Sequence, residues 1–282
     1  MRIMFFGGDM RQRMLRGLFE AAGHGTAVWG LDGLGIPSDD PGCAGGADIA
    51  ILPYPAFVGD CIRAPFALRK MPASEFFGLS TKAAVLAGAP PEIIRETAKK
   101  NGILLFDYAT EDLLRRNAYL TAEGALGTAV ERLPCCIRGT EMLVAGCGRI
   151  GRELALLLGK LGAAVSVSAL RPESLEWAEK NGFSAIRTDG MGAALGRFRM
   201  IFNTVPRRVF SGRELSLLRP DCVLTELASA PGGFDVPEAA RLGFEIVSAS
   251  GLPGKTSPET AAEIIYEEIK KLLATEGIGF DA

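Results

Sequence analysis

Gly146, Gly148 and Gly151 stand in the string GCGRIG with the spacing of a dinucleotide-binding turn, and the chemistry they point to is the docking of a pyrophosphate. Each answers a separate need. Gly146 permits a tight turn, Gly148 lets backbone amides approach the phosphates, and Gly151 lets a helix pack closely on the preceding strand. The anion would rest on the helix N-terminus, where unpaired N–H groups and the helix dipole favour negative charge. In a chain with 35 glycines the string alone is weak evidence. Its flanks give it weight, because MLVA before it reads as a strand and ELALLLGK after it reads as a helix. Arg149 and Ile150, inside the string, complete this part of the candidate cofactor site.

The strand after such a turn usually ends in Asp or Glu when the cofactor is NAD, because the carboxylate binds the ribose 2′-hydroxyl. Here it runs VSVSALRP and offers Ser168, Leu170 and Arg171 with no carboxylate. The planar fork of an arginine can pair with a 2′-phosphate, and the missing acid removes the repulsion, so NADP is favoured over NAD. As an alternative, Arg171 is a solvated turn residue beside Pro172. Further on, NTVP puts Asn203, Thr204 and Pro206 at the carboxyl end of a strand, the edge at which open α/β sheets bind ligands. Asn203 is read as a nicotinamide-side contact, against an ordinary strand-ending asparagine. Ala228 and Ser229, after a later strand, join the cofactor set.

Positioning these residues takes parallel sheets covered by helices, and the whole chain alternates accordingly. In the first half, strands are predicted over 2–6, 26–29, 48–52, 82–86 and 103–107, with helices over 10–22 and 91–101 and a Gly/Pro/Asp-rich loop over 30–46. A helix over 121–133 leads to strands over 142–145, 165–169, 200–204, 223–226 and 244–247, and a last helix covers 258–274. The expected fold is α/β, with two doubly wound parallel-sheet domains. The expected boundaries are 1–118 for a substrate domain, 119–257 for a Rossmann dinucleotide-binding domain, and 258–282 for a C-terminal helix that packs back on the first domain. At 282 residues, 48% apolar and 23% charged, the chain has material for both cores. A net charge of −2 with scattered lysines and arginines argues against nucleic acid as a partner. No run approaches 18 apolar residues and MRIMFFGGD is too short for a signal segment, so no membrane association and a cytoplasmic location are expected. Six cysteines without a CxxC pair indicate neither a metal site nor a disulfide framework, and mostly buried, reduced thiols are expected.

Several further strings occur in order: GGDMRQ at 7–12, LTAEGAL at 120–126, NTVP at 203–206, ELASAPGGFD at 226–235 and SGLPGKTSPETA at 250–261. With GCGRIG they resemble the family of dipicolinate synthase A subunits over nearly the whole chain. The resemblance implies an N-terminal flavodoxin-like domain and a Rossmann domain, arranged as in the D-2-hydroxyacid dehydrogenases, and use of NADP. It also implies oxidation of dihydrodipicolinate or 4-hydroxytetrahydrodipicolinate to dipicolinate during endospore formation, in the mother cell. The partners it implies are a small cyclic dicarboxylate substrate and a flavoprotein-like B subunit, while homo-oligomer formation is left open. Two alternatives stand beside it: an NADP-binding subunit with a sensing or scaffolding role, and a D-2-hydroxyacid dehydrogenase relative.

The catalytic candidates follow from that substrate. A hydroxyacid dehydrogenase uses a general base, usually histidine. The one histidine, His24, lies in the turn AAGHGT and is expected at the surface, away from the strand carboxyl ends. Aromatisation of a dihydropyridine makes a smaller demand, because the ring nitrogen helps expel hydride and a weak base can take the remaining proton. Glu123, or a water beside it, is the candidate base, against the rival role of a first-turn helix carboxylate. A doubly anionic substrate needs cations or amide donors in a cleft between the domains. Arg11, just after the Gly7–Gly8 turn, is a candidate, against a solvated arginine beside Arg13 and Arg16. Lys255 is another, at the position after GLPG where the family pattern has an uncharged residue. Asp9 is expected to hold Arg11 or cap the helix.

Overall fold

Two strand–turn–helix starts, one at each glycine string, organise the chain into two units. The computed structural model describes residues 1–79 and 84–279. One unit is Met1–Arg116 together with the chain from Pro253 onward, and the other is Asn117–Leu252. Among the described residues, no helix is long and apolar enough to cross a membrane.

The first unit runs β1 (Arg2–Phe6), α1 (Met10–Ala21), β2 (Gly25–Trp29), β3 (Ile49–Ile51), a short hairpin of β4 (Phe57–Val58) and β5 (Cys61–Ile62), α2 (Ala73–Gly78), β6 (Ala84–Ala87), α3 (Glu92–Lys100) and β7 (Leu105–Asp107). Its parallel sheet has the order β2-β1-β3-β6-β7, the flavodoxin-like arrangement, with the topological switch between β1 and β3. Alternation along β1 covers both faces. Met4 and Phe6 join Leu52, Val85 and Phe76 in one core, while Phe5 meets Phe19 of α1 edge-on at 5.8 Å on the other side.

Helix α4 (Glu111–Arg132) carries the chain into the second unit. There follow β8 (Glu141–Ala145), α5 (Arg149–Lys160), β9 (Ala164–Ala169), α6 (Pro172–Lys180), β10 (Ser184–Arg187), β11 (Met200–Asn203), α7 (Gly212–Leu215), β12 (Val223–Glu226), α8 (Val236–Arg241) and β13 (Ile246–Ser248). The sheet order β10-β9-β8-β11-β12-β13, all parallel, is that of a Rossmann domain. Met142 and Val144 face one core and Leu143 and Ala145 the other, as burial on both sides of a parallel sheet requires. The short α9 (Leu252–Thr256) returns the chain to the first unit, where α10 (Pro258–Thr275) packs on α1. Ala261, Ile264, Ile265, Ile269 and Leu273 form the buried stripe of α10, and Tyr266 meets Phe19 edge-on at 4.9 Å.

The α/β architecture agrees with the expectation, and several local readings are corrected. The helix expected over 121–133 begins ten residues earlier, because Thr110 caps it through the Leu113 amide and Glu111 and Asp112 suit its first turn. The expected loop over 30–46 contains two 3-10 turns, Asp32–Leu34 and Pro41–Gly46. The strand expected over 82–86 begins outside the described residues, and its described part is β6. His24 is buried rather than superficial: its ring lies 5.9 Å from Phe19, and burial followed by the charge of the terminal ammonium lowers its pKa. The cysteines are not mostly buried, since Cys43, Cys135 and Cys136 are exposed and Cys61 is half-buried.

Candidate functional site

In the second unit, β8 delivers the chain to Gly146, whose backbone takes φ 104°, and α5 starts from Gly148 as its N-cap. A Cβ on Gly146 would stand 2.3 Å from Thr204 Oγ1, and one on Gly151 would stand 2.2 Å from the Gly146 carbonyl oxygen. Both positions therefore admit only glycine. Gly148 differs, because among the described residues a Cβ there would meet nothing within 4 Å and no side chain caps the helix. The start of α5 thus combines uncapped N–H groups with open space, which is the condition for receiving an anion.

A cleft of about 390 Å³ adjoins this turn, lined by Gly146, Cys147, Gly148, Ser168 to Arg171, Ser174, Thr188, Thr204 to Arg207 and Val209. Among these lining residues there is no carboxylate and no imidazole. Ser168 closes the wall: its carbonyl accepts the Gly146 amide at 2.9 Å, while its fully buried hydroxyl has no hydrogen-bond partner among the described residues. Leu170 and Arg171 follow at the end of β9, with Arg171 exposed as the N-cap of α6 and in no ion pair among the described residues. Arg207 lines the same cleft, whereas its neighbour Arg208 pairs with Asp235. Arg149 and Ile150 open α5, the first exposed and the second packed half-buried against the core.

Asn203 and Thr204 have their polar groups turned to the protein. Asn203 is fully buried and donates from Nδ2 to the Val205 carbonyl at 2.9 Å and to Glu226 Oε1 at 2.7 Å. Thr204 donates its hydroxyl to the Ala145 carbonyl at 2.9 Å. Glu226, which sequence reasoning missed, is the hub of this edge. Its carboxylate also accepts the Ala228 amide at 3.0 Å and the Gly233 amide at 2.7 Å, tying the SAPGG loop to the ends of β11 and β12. Pro206 and Ser229 are exposed and Ala228 half-buried beside that network. Glu123 lies elsewhere, exposed in the middle of α4 and absent from the cleft lining. Its charge, and its hydrogen bond with the Tyr119 hydroxyl one turn earlier, raise the tyrosine pKa.

In the first unit, the corresponding turn is filled by the protein itself. Gly7 and Gly8 take φ 61° and 95°, and a Cβ on Gly7 would stand 2.7 Å from the Arg63 carbonyl oxygen. Asp9 caps α1, accepting the Arg11 amide at 3.1 Å, and pairs with both Arg11 (Nε 2.9 Å, Nη2 2.8 Å) and Arg63 (Nη1 2.9 Å). Burial alone would raise the Asp9 pKa, but the Arg11 bonds and charge, joined by Arg63, hold it down to about 2. Arg11 is itself buried, and Nη2 also donates to the Tyr54 carbonyl at 2.7 Å. Gln12 anchors the same helix end by donating to the Ile51 carbonyl at 3.0 Å. Gly254 of α9 packs so closely that a Cβ would lie 2.8 Å from the Asp9 carboxylate atoms, and Lys255 beside it is exposed. Arg63 gave no signal in the sequence, because its place depends on the β4–β5 hairpin folding onto a turn 54 residues away.

No family model matches the chain. The A subunit of dipicolinate synthase from Bacillus subtilis (strain 168) is 31% identical over 189 residues, which cover 67% of this chain and 63% of that protein, so the match spans under two thirds of the relative. The crystal structure of the corresponding dipicolinate synthase chain from Bacillus halodurans is similar with a TM-score of 0.82 at 24% identity, over 97% of each chain. The apo-structure of D-lactate dehydrogenase from Escherichia coli is similar with a TM-score of 0.68 at 13% identity, over 98% of this chain and 97% of that one. The chain thus resembles dipicolinate synthase A subunits in sequence and shares its fold with a D-2-hydroxyacid-type dehydrogenase.

Proposed function

We propose that the chain belongs with the dipicolinate synthase A subunits and is a nicotinamide-dependent oxidoreductase, using NADP to oxidise dihydrodipicolinate, or 4-hydroxytetrahydrodipicolinate once its hydroxyl has left as water, to the aromatic dicarboxylate. The single observation that carries the cofactor half is the open, uncapped start of α5 at Gly148. The residues fit a dinucleotide: Gly146, Gly148, Arg149, Ile150 and Gly151 would hold its pyrophosphate, and Ser168, Leu170 and Arg171 its adenosine ribose. The buried Ser168 hydroxyl, without a partner among the described residues, and the missing carboxylate at the end of β9 suit a phosphorylated ribose. Thr204, Pro206, Ala228 and Ser229 would flank the other end, with Asn203 and Glu226 bracing the strand ends they project from.

When bound, the cofactor supplies the acceptor for a hydride. The chain's own part is to hold a dianionic ring and take up a proton. Lys255 and the Asp9–Arg11–Arg63 group provide positive charge, with Arg11 buried as the foundation of that group. Glu123 is the carboxylate assigned to the ring proton, although it lies on α4 outside the described cleft lining. Histidine-based alcohol oxidation is disfavoured, because His24 is buried against Phe19 in the first unit. The partner would be a flavoprotein-like B subunit. A second reading, a cofactor-binding subunit without catalysis of its own, is favoured by the absence of acid or base groups from the described cleft lining.

Mixing the purified chain with freshly generated hydroxytetrahydrodipicolinate and NADP, with and without the B subunit, separates these readings by ultraviolet absorbance. Dipicolinate and NADPH appearing together support the oxidoreductase. NADP binding without product, even with both subunits present, supports the sensing or scaffolding role.

A further inference from the structure

We infer that Arg63 is the guanidinium that receives one carboxylate of the substrate, and that Asp9 and Arg11 act as positioning residues beneath it. The inference rests on the dicarboxylate reading above and adds to it a specificity-determining residue.

Asp9 is a single anion facing two cations, so the Asp9–Arg11–Arg63 group keeps one positive charge over. Arg11 has little freedom to use that surplus. Its side chain is 6% exposed, with Nε and Nη2 held by Asp9 and Tyr54. Arg63 is placed differently: its side chain is 21% exposed and only Nη1 is engaged, leaving Nε and Nη2 without a partner among the described residues. Those two nitrogens form one edge of the guanidinium fork, the geometry that matches a carboxylate with two parallel hydrogen bonds.

The backbone makes that fork a fixed feature. The Arg63 amide donates to the Ala56 carbonyl at 2.9 Å, and its carbonyl accepts the Gly8 amide at 2.8 Å. The β4–β5 hairpin is thereby stitched to the Gly7–Gly8 turn at the switch point of the sheet, where ligands of open α/β domains bind. With both backbone groups tied and Nη1 on Asp9, little conformational freedom remains for an incoming anion to remove. The Gly254 backbone packs on the Asp9 carboxylate, and Lys255, the next residue in the chain, is exposed. A dianion would then meet one forked cation and one point charge.

The test is calorimetric titration of the full chain, with saturating NADP present and absent, using pyridine-2,6-dicarboxylate and the monocarboxylate pyridine-2-carboxylate as probes. Wild type should bind the dicarboxylate at least tenfold more tightly than the monocarboxylate. Arg63→Ala should close that gap while leaving NADP affinity unchanged. Arg63→Lys, which keeps the charge and the Asp9 pairing but loses the fork, should retain the melting temperature and weaken only the dicarboxylate, so a folding defect in the alanine variant does not blunt the test. A wild-type preference that persists undiminished in both variants overturns the role of Arg63 and leaves the dicarboxylate reading standing. A wild-type chain that binds NADP but neither probe removes the dicarboxylate reading, and the inference with it.

Discussion

The two units begin alike, with a buried strand, a glycine turn and a helix, yet the two helix starts are treated in opposite ways. At the first, an aspartate of the chain occupies the N-cap of α1 and two arginines neutralise it. At the second, glycine is the N-cap of α5, and no described residue occupies the space a side chain would take. A helix N-terminus attracts an anion in both cases. The first supplies its own, and what it presents outward is surplus positive charge. The second leaves the place open for a ligand. One fold motif thus yields a self-capped helix start with surplus positive charge in one unit and an open, uncapped start in the other, and the switch between them is the residue at the N-cap.

Breaking the self-supplied anion has the largest expected effect. Asp9→Asn leaves Arg11 buried without its counter-charge, and removal of one partner of a buried pair costs about 3–5 kcal/mol. Urea unfolding of the variant should show this as a lower midpoint with an unchanged slope. A loss under about 1 kcal/mol would mean that water already shares the site.

Transplanting the anion sharpens the contrast. Gly148→Asp places a carboxylate at an extended N-cap with nothing within 4 Å of its Cβ, so the fold should be retained or gain slightly in stability. The same carboxylate occupies the phosphate position, and cofactor affinity should drop by about 100-fold, or roughly 2.7 kcal/mol. Fluorescence titration with NADPH, paired with thermal melts, measures both quantities. Intact affinity in a folded variant would move the cofactor away from α5.

Acid should affect the two units unequally. The Asp9 pKa is depressed from 3.8 to about 2 in the fold, so its contribution is fully present above about pH 4 and is lost as the pH falls through 2. Linkage puts that contribution at about 2 kcal/mol. Melting temperatures between pH 5 and 2.5 should fall less steeply in Asp9→Asn than in wild type. Parallel slopes would show that Asp9 titrates normally.

Much of this contrast was legible in the sequence, for reasons that differ by residue. Gly146 and Gly151 could be read because their spacing reports local backbone needs, and the sheet strands because alternation reports two buried faces. Asp9 as cap and arginine partner was also within reach, being two residues from Arg11. Arg63 and Glu226 were not, because each acts through a carboxylate pairing or loop that closes only in three dimensions. The early turns of α4 were missed because that helix leaves one unit and enters the other, so no single apolar stripe runs its length. Strand β10 was missed because it is a short, half-exposed edge.

The smallest expected effect concerns the far end of the open site, where the proposed preference for NADP rests on Arg171. It stands at the N-cap of α6, exposed, unpaired among the described residues, and close to Ser168 at the end of β9. No carboxylate competes for it there, so a 2′-phosphate would gain a charge-assisted contact that a 2′-hydroxyl cannot match. Arg171→Ala should weaken NADPH about tenfold, or roughly 1.4 kcal/mol, and leave NADH unchanged in parallel fluorescence titrations. Arg207 lines the same cleft and could share the load, so the double variant should widen the loss. If Arg171→Ala weakens both cofactors equally, the arginine holds the helix start and not the phosphate. The distinction between an open anion receptor and one tuned for NADP would then fall to Arg207 and Ser168.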